Sequence, residues 1–537
     1  MEVNRSRKEF PPPSARKKKM VHTCYSAALK GLEGRIVTVE ANSTPASDPK
    51  LEIIGLPDTA VRESISRVKS AARVMGVKLL SGSVTVNLAP ADIRKEGTVY
   101  DLPILFSLLR PEELDRADIT RSVFLGELSL SGILRPVPGV LPMALAAAQN
   151  GFKCLYVPEE NAAEASAAPG ISVFPVHDVR QLLDHLHHTK LIEPLVFDDT
   201  AFERATLSGV ADFSEVKGQE TAKKALELAA AGMHNVMLIG PPGSGKSMLA
   251  ARLPSILPPL TFDEALETSE VYSVAGLGSE LNPLIATRPF RSPHHTISAT
   301  ALVGGGTKVQ PGEISLAHNG VLFLDEFPEF DPKSRETMRQ PLEEHHITIT
   351  RVSGSATFPC SFMLIAAMNP CPCGYFGHPS RPCVCSPKAK QNYLSRVSGP
   401  VLDRIDIQVE VGALNFSDLD TAIASEPSSV IRARVEKAQE FAKSRFAGET
   451  LRTGAPLLFN AHMEPQHLEK YCVLTPDARS LLGAAFDRLG LSARGYTRLL
   501  KVARTVADFE SSDLIGKQHV ATAIRMRSLD RKYFGAQ

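Results

Sequence analysis

An uninterrupted apolar run of about 18 residues, the length that spans a bilayer, is missing from this sequence of 537 residues. No apolar stretch follows the basic start as a secretory signal would require. The expectation is a cytoplasmic protein with no membrane partner. Excess charge of one sign is missing too: 60 Lys+Arg against 59 Asp+Glu leave a net charge of +1, which gives no support for non-specific nucleic-acid binding but leaves local basic patches open. Short-period repeats are absent. Cysteine is scarce, yet five of the eight fall between Cys360 and Cys385. In a reducing compartment such a cluster points to metal binding before disulfides.

What is present is an ordinary packed chain, 43% hydrophobic and 22% charged. That excludes wholesale disorder. At about 150 residues per domain the length implies three or four domains.

Residues 1–19 carry seven Lys/Arg against two Glu and a Pro-Pro-Pro run. They read as a disordered basic tail, a solvated extension or a phosphate-docking arm, and Met20 is an alternative start. Residues 20–190 alternate β-rich runs (36–41, 51–54, 84–88) with helical stretches, an α+β pattern. Val61, Ile65, Val68 and Ala72 share one helical face, and a second helix is expected from Pro142 to Asn150 before the strand CLYVP. A polar linker, 191–211, leads into 212–426, where strand, loop and helix recur as in a parallel α/β sheet covered on both faces. Residues 427–537 read as an all-α domain, with helices over 431–446, 476–489, 493–508 and 516–527.

The chemistry concentrates in 212–426. The apolar run Val236-Met-Leu-Ile239 leads into Gly240-Pro241-Pro242-Gly243-Ser244-Gly245-Lys246-Ser247 and then a helix. This is the context of a phosphate loop, whose backbone N–H groups cradle phosphate oxygens. Lys246 is expected to neutralise the β- and γ-phosphates of ATP and Ser247 to ligate Mg²⁺. Val321-Leu-Phe-Leu324 ends in Asp325-Glu326. At the carboxyl edge of a buried strand, Asp325 would hold Mg²⁺ through water and Glu326 would polarise the attacking water. A further strand, 362–368, ends at Asn369-Pro370, where an Asn can orient the lytic water.

The order GPPGSGKS, VLFLDE, AAMNP, VLDRIDIQVEV and SARGY resembles the AAA+ ATPases of the magnesium-chelatase group. RPFRSPHHTISATALVGGGTKVQPGEISLAHNGVLFLDEFPEF, with MNPCPCGYFG, narrows the resemblance to the YifB/ComM family over nearly the whole chain. That likeness implies sensor 1 at Asn369, an arginine finger at Arg404 with Arg396 as fallback, sensor 2 at Arg494, and a homo-oligomer, typically a hexameric ring. It also implies ATP-driven branch migration of branched or single-stranded DNA during natural transformation. On the residues alone, Arg404 also reads as a strand-edge arginine paired with Asp403 and Asp406.

Cys371-x-Cys373 and Cys383-x-Cys385 flank a nine-residue loop. Four thiolates from one short segment can enclose a structural Zn²⁺; a metal-free reduced cluster and redox disulfides are the other readings, and His378 or Cys360 could replace a ligand. Residues 94–158 resemble the Lon protease domain, with Val99 where that family has its serine and Leu141 where it has its lysine. Neither can act as nucleophile or base. The domain then reads as a structural or protein-binding tier. Lys308, after Gly304-Gly-Gly-Thr, and Arg351, in Ile347-Thr-Ile-Thr-Arg351, are candidate DNA-phosphate contacts or plain surface charges. The rival readings are a chelatase-type motor subunit, against which the N-terminal domain stands, and a protein-remodelling chaperone.

Overall fold

The computed structural model describes residues 21–114, 119–205, 211–278, 283–306, 309–351, 354–378, 380–413, 425–527 and 529–534. The basic tail 1–19, Met20, Lys308 and residues 206–210 of the expected linker lie outside the described residues. The chain forms two units, the first drawn from residues up to 28, 34–137 and 143–196, the second from 29–33, 138–142 and 197 onward.

The first unit holds a mixed seven-stranded sheet of β1 (Val21–Lys30), β2 (Glu33–Thr44), β3 (Leu51–Ile54), β4 (Ser83–Ala89), β5 (Ser122–Phe124), β6 (Cys154–Pro158) and β7 (Ser172–Val176). The order is β3-β4-β2-β1-β5-β6-β7. β2 and β4 are antiparallel, while β3/β4, β1/β5, β5/β6 and β6/β7 are parallel. The expected runs 36–41, 51–54 and 84–88 fall within β2, β3 and β4. Helix α1 (Thr59–Met75) starts where Asp58 accepts a hydrogen bond from Val61 N–H and stops at Gly76, whose φ of +68° suits glycine. Such a cap contributes about 1 kcal/mol. The predicted stripe faces inward, with Val61, Val68 and Ala72 buried. Helix α2 covers Asp101–Leu108. Helix α3 (Val140–Gln149) begins two residues before the expected Pro142, because the first turn of a helix tolerates proline.

In the second unit, β8 (Val236–Ile239), β9 (Phe290–Arg291), β12 (Val321–Leu324), β15 (Met363–Met368) and β16 (Ile407–Glu410) form an all-parallel sheet in the order β9-β12-β15-β8-β16. Two hairpins stand outside it, β10 (Gly304–Gly305) with β11 (Gln310–Pro311), and β13 (His346–Arg351) with β14 (Gly354–Pro359). Alternate side chains feed two cores. Val236, Leu238, Val321, Phe323, Met363 and Ile365 enter one, and Met237, Ile239, Leu322, Leu324, Leu364 and Ala366 the other. This explains why these strands are apolar throughout.

Ser428–Arg445 and Ala493–Phe509 are helical, starting three residues before and ending one residue beyond the respective expected stretches. Their apolar residues Ile431, Val435, Leu499 and Val502 share the first of those cores with the sheet. Among the described residues no helix is long and apolar enough to cross a membrane.

Candidate functional site

The carboxyl ends of β8, β12 and β15 carry the residues singled out above. Beyond β8, Gly240 donates its N–H to Met368 O at 3.2 Å. A Cβ on Gly240 would lie 2.2 Å from Val411 O, so only glycine fits there. Gly243 and Gly245 follow with φ of +74° and +92°, turning Pro241, Pro242 and the buried Ser244 into a tight loop before the helix Lys246–Arg252. Gln219, not anticipated from sequence, pins this loop by donating to Ser244 O at 3.2 Å and Gly412 O at 2.7 Å.

Lys246 is 7% exposed and donates to Gly240 O (2.8 Å), Pro241 O (2.9 Å) and Asn369 Oδ1 (3.2 Å). Burial pulls its pKa below the ordinary lysine value, against Asp325 and Glu326, whose charges raise it. Ser247 Oγ donates to Asp325 Oδ2 at 2.7 Å. The tertiary structure thus brings Lys246 to Asn369 and Ser247 to Asp325. Two hard oxygen donors side by side, next to a phosphate loop, suit a Mg²⁺ ion with its waters.

Glu326 sits at φ +52°, in the left-handed region that favours glycine, and its Oε2 lies 3.2 Å from His295 Nδ1. Sequence reasoning missed His295. The available signal was its place four residues past the short strand Phe290–Arg291, since ligands gather at the carboxyl ends of parallel strands.

The arginines are placed differently. Arg404 is 5% exposed, donating to Arg339 O (3.1 Å) and Pro400 O (2.6 Å) and pairing with Glu343 Oε1 (2.6 Å). Its ion-pair partner is therefore Glu343, and the alternative pairing with Asp403 and Asp406 is corrected: Asp406 is taken by Arg498 and His234. Arg396 is half-exposed and holds both oxygens of Glu329, at 2.8 and 2.7 Å. Arg494 is exposed in the first turn of Ala493–Phe509, which Ser492 caps.

The thiols of Cys371, Cys373, Cys383 and Cys385 all lie within 4.8 Å of one another. Their Sγ separations are 3.4 Å for 371 to 373 and 3.6 Å for 371 to 383 and for 373 to 383. Zn–S bonds of about 2.3 Å in a tetrahedron require sulfur separations of about 3.8 Å, so the quartet fits. The Cys373 thiol is lowered to about 6, chiefly by the backbone N–H of Tyr375. Cys360 and His378 stand apart: burial pushes the Cys360 thiol up, and His378 Nδ1 accepts from the N–H groups of Ser380 and Arg381. Gly374, within the cysteine loop, approaches so closely that a Cβ there would lie 2.5 Å from Pro242 Cδ. The cysteine loop therefore packs directly on the phosphate loop.

Arg351 is exposed at the end of β13. A Cβ on Gly305 would lie 2.8 Å from its guanidinium, and one on Gly304 2.8 Å from Ile349 Cδ1, so the two hairpins touch. Val99 and Leu141 are buried apolar side chains, 8% and 0% exposed. Beside Val99, Thr98 donates to Glu127, and Asp101 is held by Arg67.

Residues 212–419 match the family described as Magnesium chelatase, subunit ChlI; residues 39–161 match Subunit ChlI of Mg-chelatase; and residues 425–527 match Magnesium chelatase, subunit ChlI C-terminal. Because a chelatase description also covers 39–161, the N-terminal region does not separate the chain from chelatase-type proteins as the sequence reading expected. The uncharacterized protein YifB of Salmonella typhimurium is 41% identical over 515 residues, 95% of this chain and 97% of that protein. Competence protein ComM of Haemophilus influenzae is 40% identical over 513 residues, 94% and 97% of the two chains. A Lon protease of Mycolicibacterium smegmatis is 26% identical over 186 residues, 33% of this chain and 23% of the protease. With this extent of identity over nearly the full length, the chain belongs to the YifB/ComM family of magnesium-chelatase-like AAA+ proteins.

Proposed function

We propose that the chain hydrolyses ATP as a homo-oligomeric ring motor and spends the cycle on branch migration of branched or single-stranded DNA. The observation that carries the ATPase reading is the meeting of Lys246 with Asn369 and of Ser247 with Asp325 at one sheet edge. In this reading the backbone of 240–245 and the Lys246 ammonium bind the phosphates. Ser247 and Asp325 hold Mg²⁺, which neutralises charge on the β- and γ-oxygens when bound. Glu326 takes a proton from water as its oxygen bonds to the γ-phosphorus, and the bond to the bridging oxygen breaks to release ADP. Asn369 orients that water.

A neighbouring subunit supplies the arginine finger, Arg404 or Arg396, and Arg494 reads the nucleotide from the helical segment. Arg396 is the one already exposed, while Arg404 must leave Glu343 to reach across. The four cysteines hold a structural Zn²⁺ that clamps the loop packed on Pro242. The Lon-like N-terminal region, with Val99 and Leu141 in place of a catalytic pair, serves as a structural or protein-binding tier.

The DNA reading draws on the name of the Haemophilus relative, a competence protein, and on the two touching hairpins, one of which carries Arg351; Lys308 enters it from the sequence alone. Such residues bind phosphate without reading sequence, so affinity falls steeply with salt. The test is the ATPase rate of the full chain with and without four-way-junction DNA across moderate salt. Stimulation that drops when Lys308 and Arg351 are both changed to Ala, and survives deletion of 1–19, supports the reading. Neither binding nor stimulation would replace DNA with a protein substrate, remodelled by a chaperone or chelatase-type motor.

A further inference from the structure

The six residues from Asn369 to Gly374 touch the phosphate loop at both ends. Asn369 Oδ1 accepts from Lys246 at 3.2 Å, and Gly374 lies against the Pro242 ring, where a Cβ would come within 2.5 Å of Cδ. Between those contacts stand Cys371 and Cys373. Gly374 closes the turn by donating its N–H to Cys371 O at 2.9 Å, with a φ of +82° that suits glycine. A movement of these thiols is therefore felt at the nucleotide.

The quartet is uneven in exposure. Cys371 is buried, whereas Cys373, Cys383 and Cys385 are part-exposed. Cys385 Sγ is engaged by the Cys373 N–H at 3.4 Å. Cys373 and Cys383 are both reachable from solvent, with their Sγ atoms 3.6 Å apart and 10 positions between them in the chain. To form an S–S bond of about 2.05 Å they must approach by roughly 1.5 Å. The other cysteines offer no such pair: Cys24, Cys360 and Cys472 are buried, and Cys154 stands in β6 of the first unit.

We propose that Cys373 and Cys383 are an oxidative modification site, joined by hydrogen peroxide in a reversible disulfide that expels the metal ion and weakens ATP binding. The proposal rests on the zinc and phosphate-loop readings above. One thiolate attacks the peroxide: an S–O bond forms, the O–O bond breaks, and the departing hydroxide takes a proton from solvent to leave as water. The second thiolate then displaces the sulfur-bound hydroxyl, which leaves as water in the same way, and the S–S bond forms. The two thiolates lose two electrons and the peroxide is reduced to two waters. Cys371 and Cys385 alone cannot enclose Zn²⁺ tetrahedrally, so the ion departs. Drawing Cys373 toward Cys383 moves its neighbour Gly374 off Pro242, and the phosphate loop loses a support.

The test uses the full chain, purified reduced with its metal and then exposed to hydrogen peroxide. Disulfides are mapped by peptide mass spectrometry, released zinc is read with a chromophoric chelator, and affinity is titrated with a non-hydrolysable ATP analogue. The expected result is a 373–383 disulfide, loss of the zinc, and a Kd about fivefold higher, all reversed by dithiothreitol with added zinc. Cys383→Ser should show no peroxide-dependent change in affinity, while Cys154→Ser should respond as the unaltered chain does. If Cys383→Ser does not fold, the mapping and titration of the unaltered chain decide. A disulfide between another pair, a 373–383 bond that leaves Kd within about twofold, or a peroxide effect that persists in Cys383→Ser overturns the proposal. Reduced protein without zinc would instead count against the metal reading, and reduced protein that binds no nucleotide against the phosphate-loop reading; either overturns the inference by removing its premise.

Discussion

The carboxylate of Asp406 accepts a hydrogen bond from the backbone N–H of Asn235 at 3.0 Å, and Asn235 O accepts in return from Asp406 N–H at 3.0 Å. Asn235 also donates its side-chain Nδ2 to Arg404 O and accepts Leu364 N–H on its side-chain Oδ1. The start of β8 is thereby tied to the starts of β16 and β15. Asp406 is fully buried and pairs with Arg498 of the helix Ala493–Phe509 at 3.0 Å and His234 at 3.4 Å. Asp406→Ala should cost about 3 kcal/mol, because it leaves the part-buried Arg498 guanidinium without its partner and opens the bond to Asn235 N–H. Burial raises the Asp406 pKa, but Arg498 and His234 outweigh it and hold the carboxyl well below the usual range. The stabilisation is present above the unfolded aspartate pKa of about 3.9 and is lost as pH falls through the depressed folded value. Urea unfolding monitored on the second unit, at neutral and acid pH, checks both statements.

Lys246→Ala and Glu326→Gln should fail in different ways. The first removes the cation that meets the phosphates, so nucleotide binding falls by an order of magnitude or more, about 1.4 kcal/mol at least. The second leaves binding intact and stops turnover. Nucleotide titration beside single-turnover hydrolysis separates them, and equal loss of binding in both would refute the division of roles.

Arg404 and Arg396 make opposite demands on assembly. Mixed rings of Arg404→Ala and Glu326→Gln subunits should recover ATPase activity if Arg404 acts across the interface, because some interfaces then combine an intact base with an intact finger. Recovery with Arg396→Ala subunits and none with Arg404→Ala would assign the finger to Arg396. Arg404→Ala alone should also lower stability, since Glu343 loses its partner.

The cysteine quartet should carry about one zinc per chain. Cys371→Ser with Cys373→Ser, or prolonged chelation, should lower the melting temperature of the second unit before it alters chemistry. Because Gly374 packs on Pro242, ATP affinity should weaken with metal loss. Metal analysis of reduced, chelator-free protein showing none would remove the site.

The sequence by itself determined the features that one contiguous stretch can encode. The phosphate loop is legible because an apolar strand, three glycines and a helix start lie within a few residues of one another. Asp325-Glu326 is legible because a fully buried strand must end in apolar-to-charged contrast, and the cysteine quartet because 371–385 can close on itself. Only the tertiary structure decided which distant groups meet. Lys246 and Asn369 are 123 positions apart, and their contact depends on β15 lying beside β8. His295 reaches Glu326 because β9 is the edge neighbour of β12, an order that no local pattern specifies. Arg404, equally able in sequence to be free or paired, is buried because Glu343, Arg339 O and Pro400 O converge on it. The helices beyond 427 read as a domain of their own, yet Ile431 and Leu499 complete the sheet's core, since an apolar stripe is indifferent to whether its partner is a helix or a strand until the chain has folded.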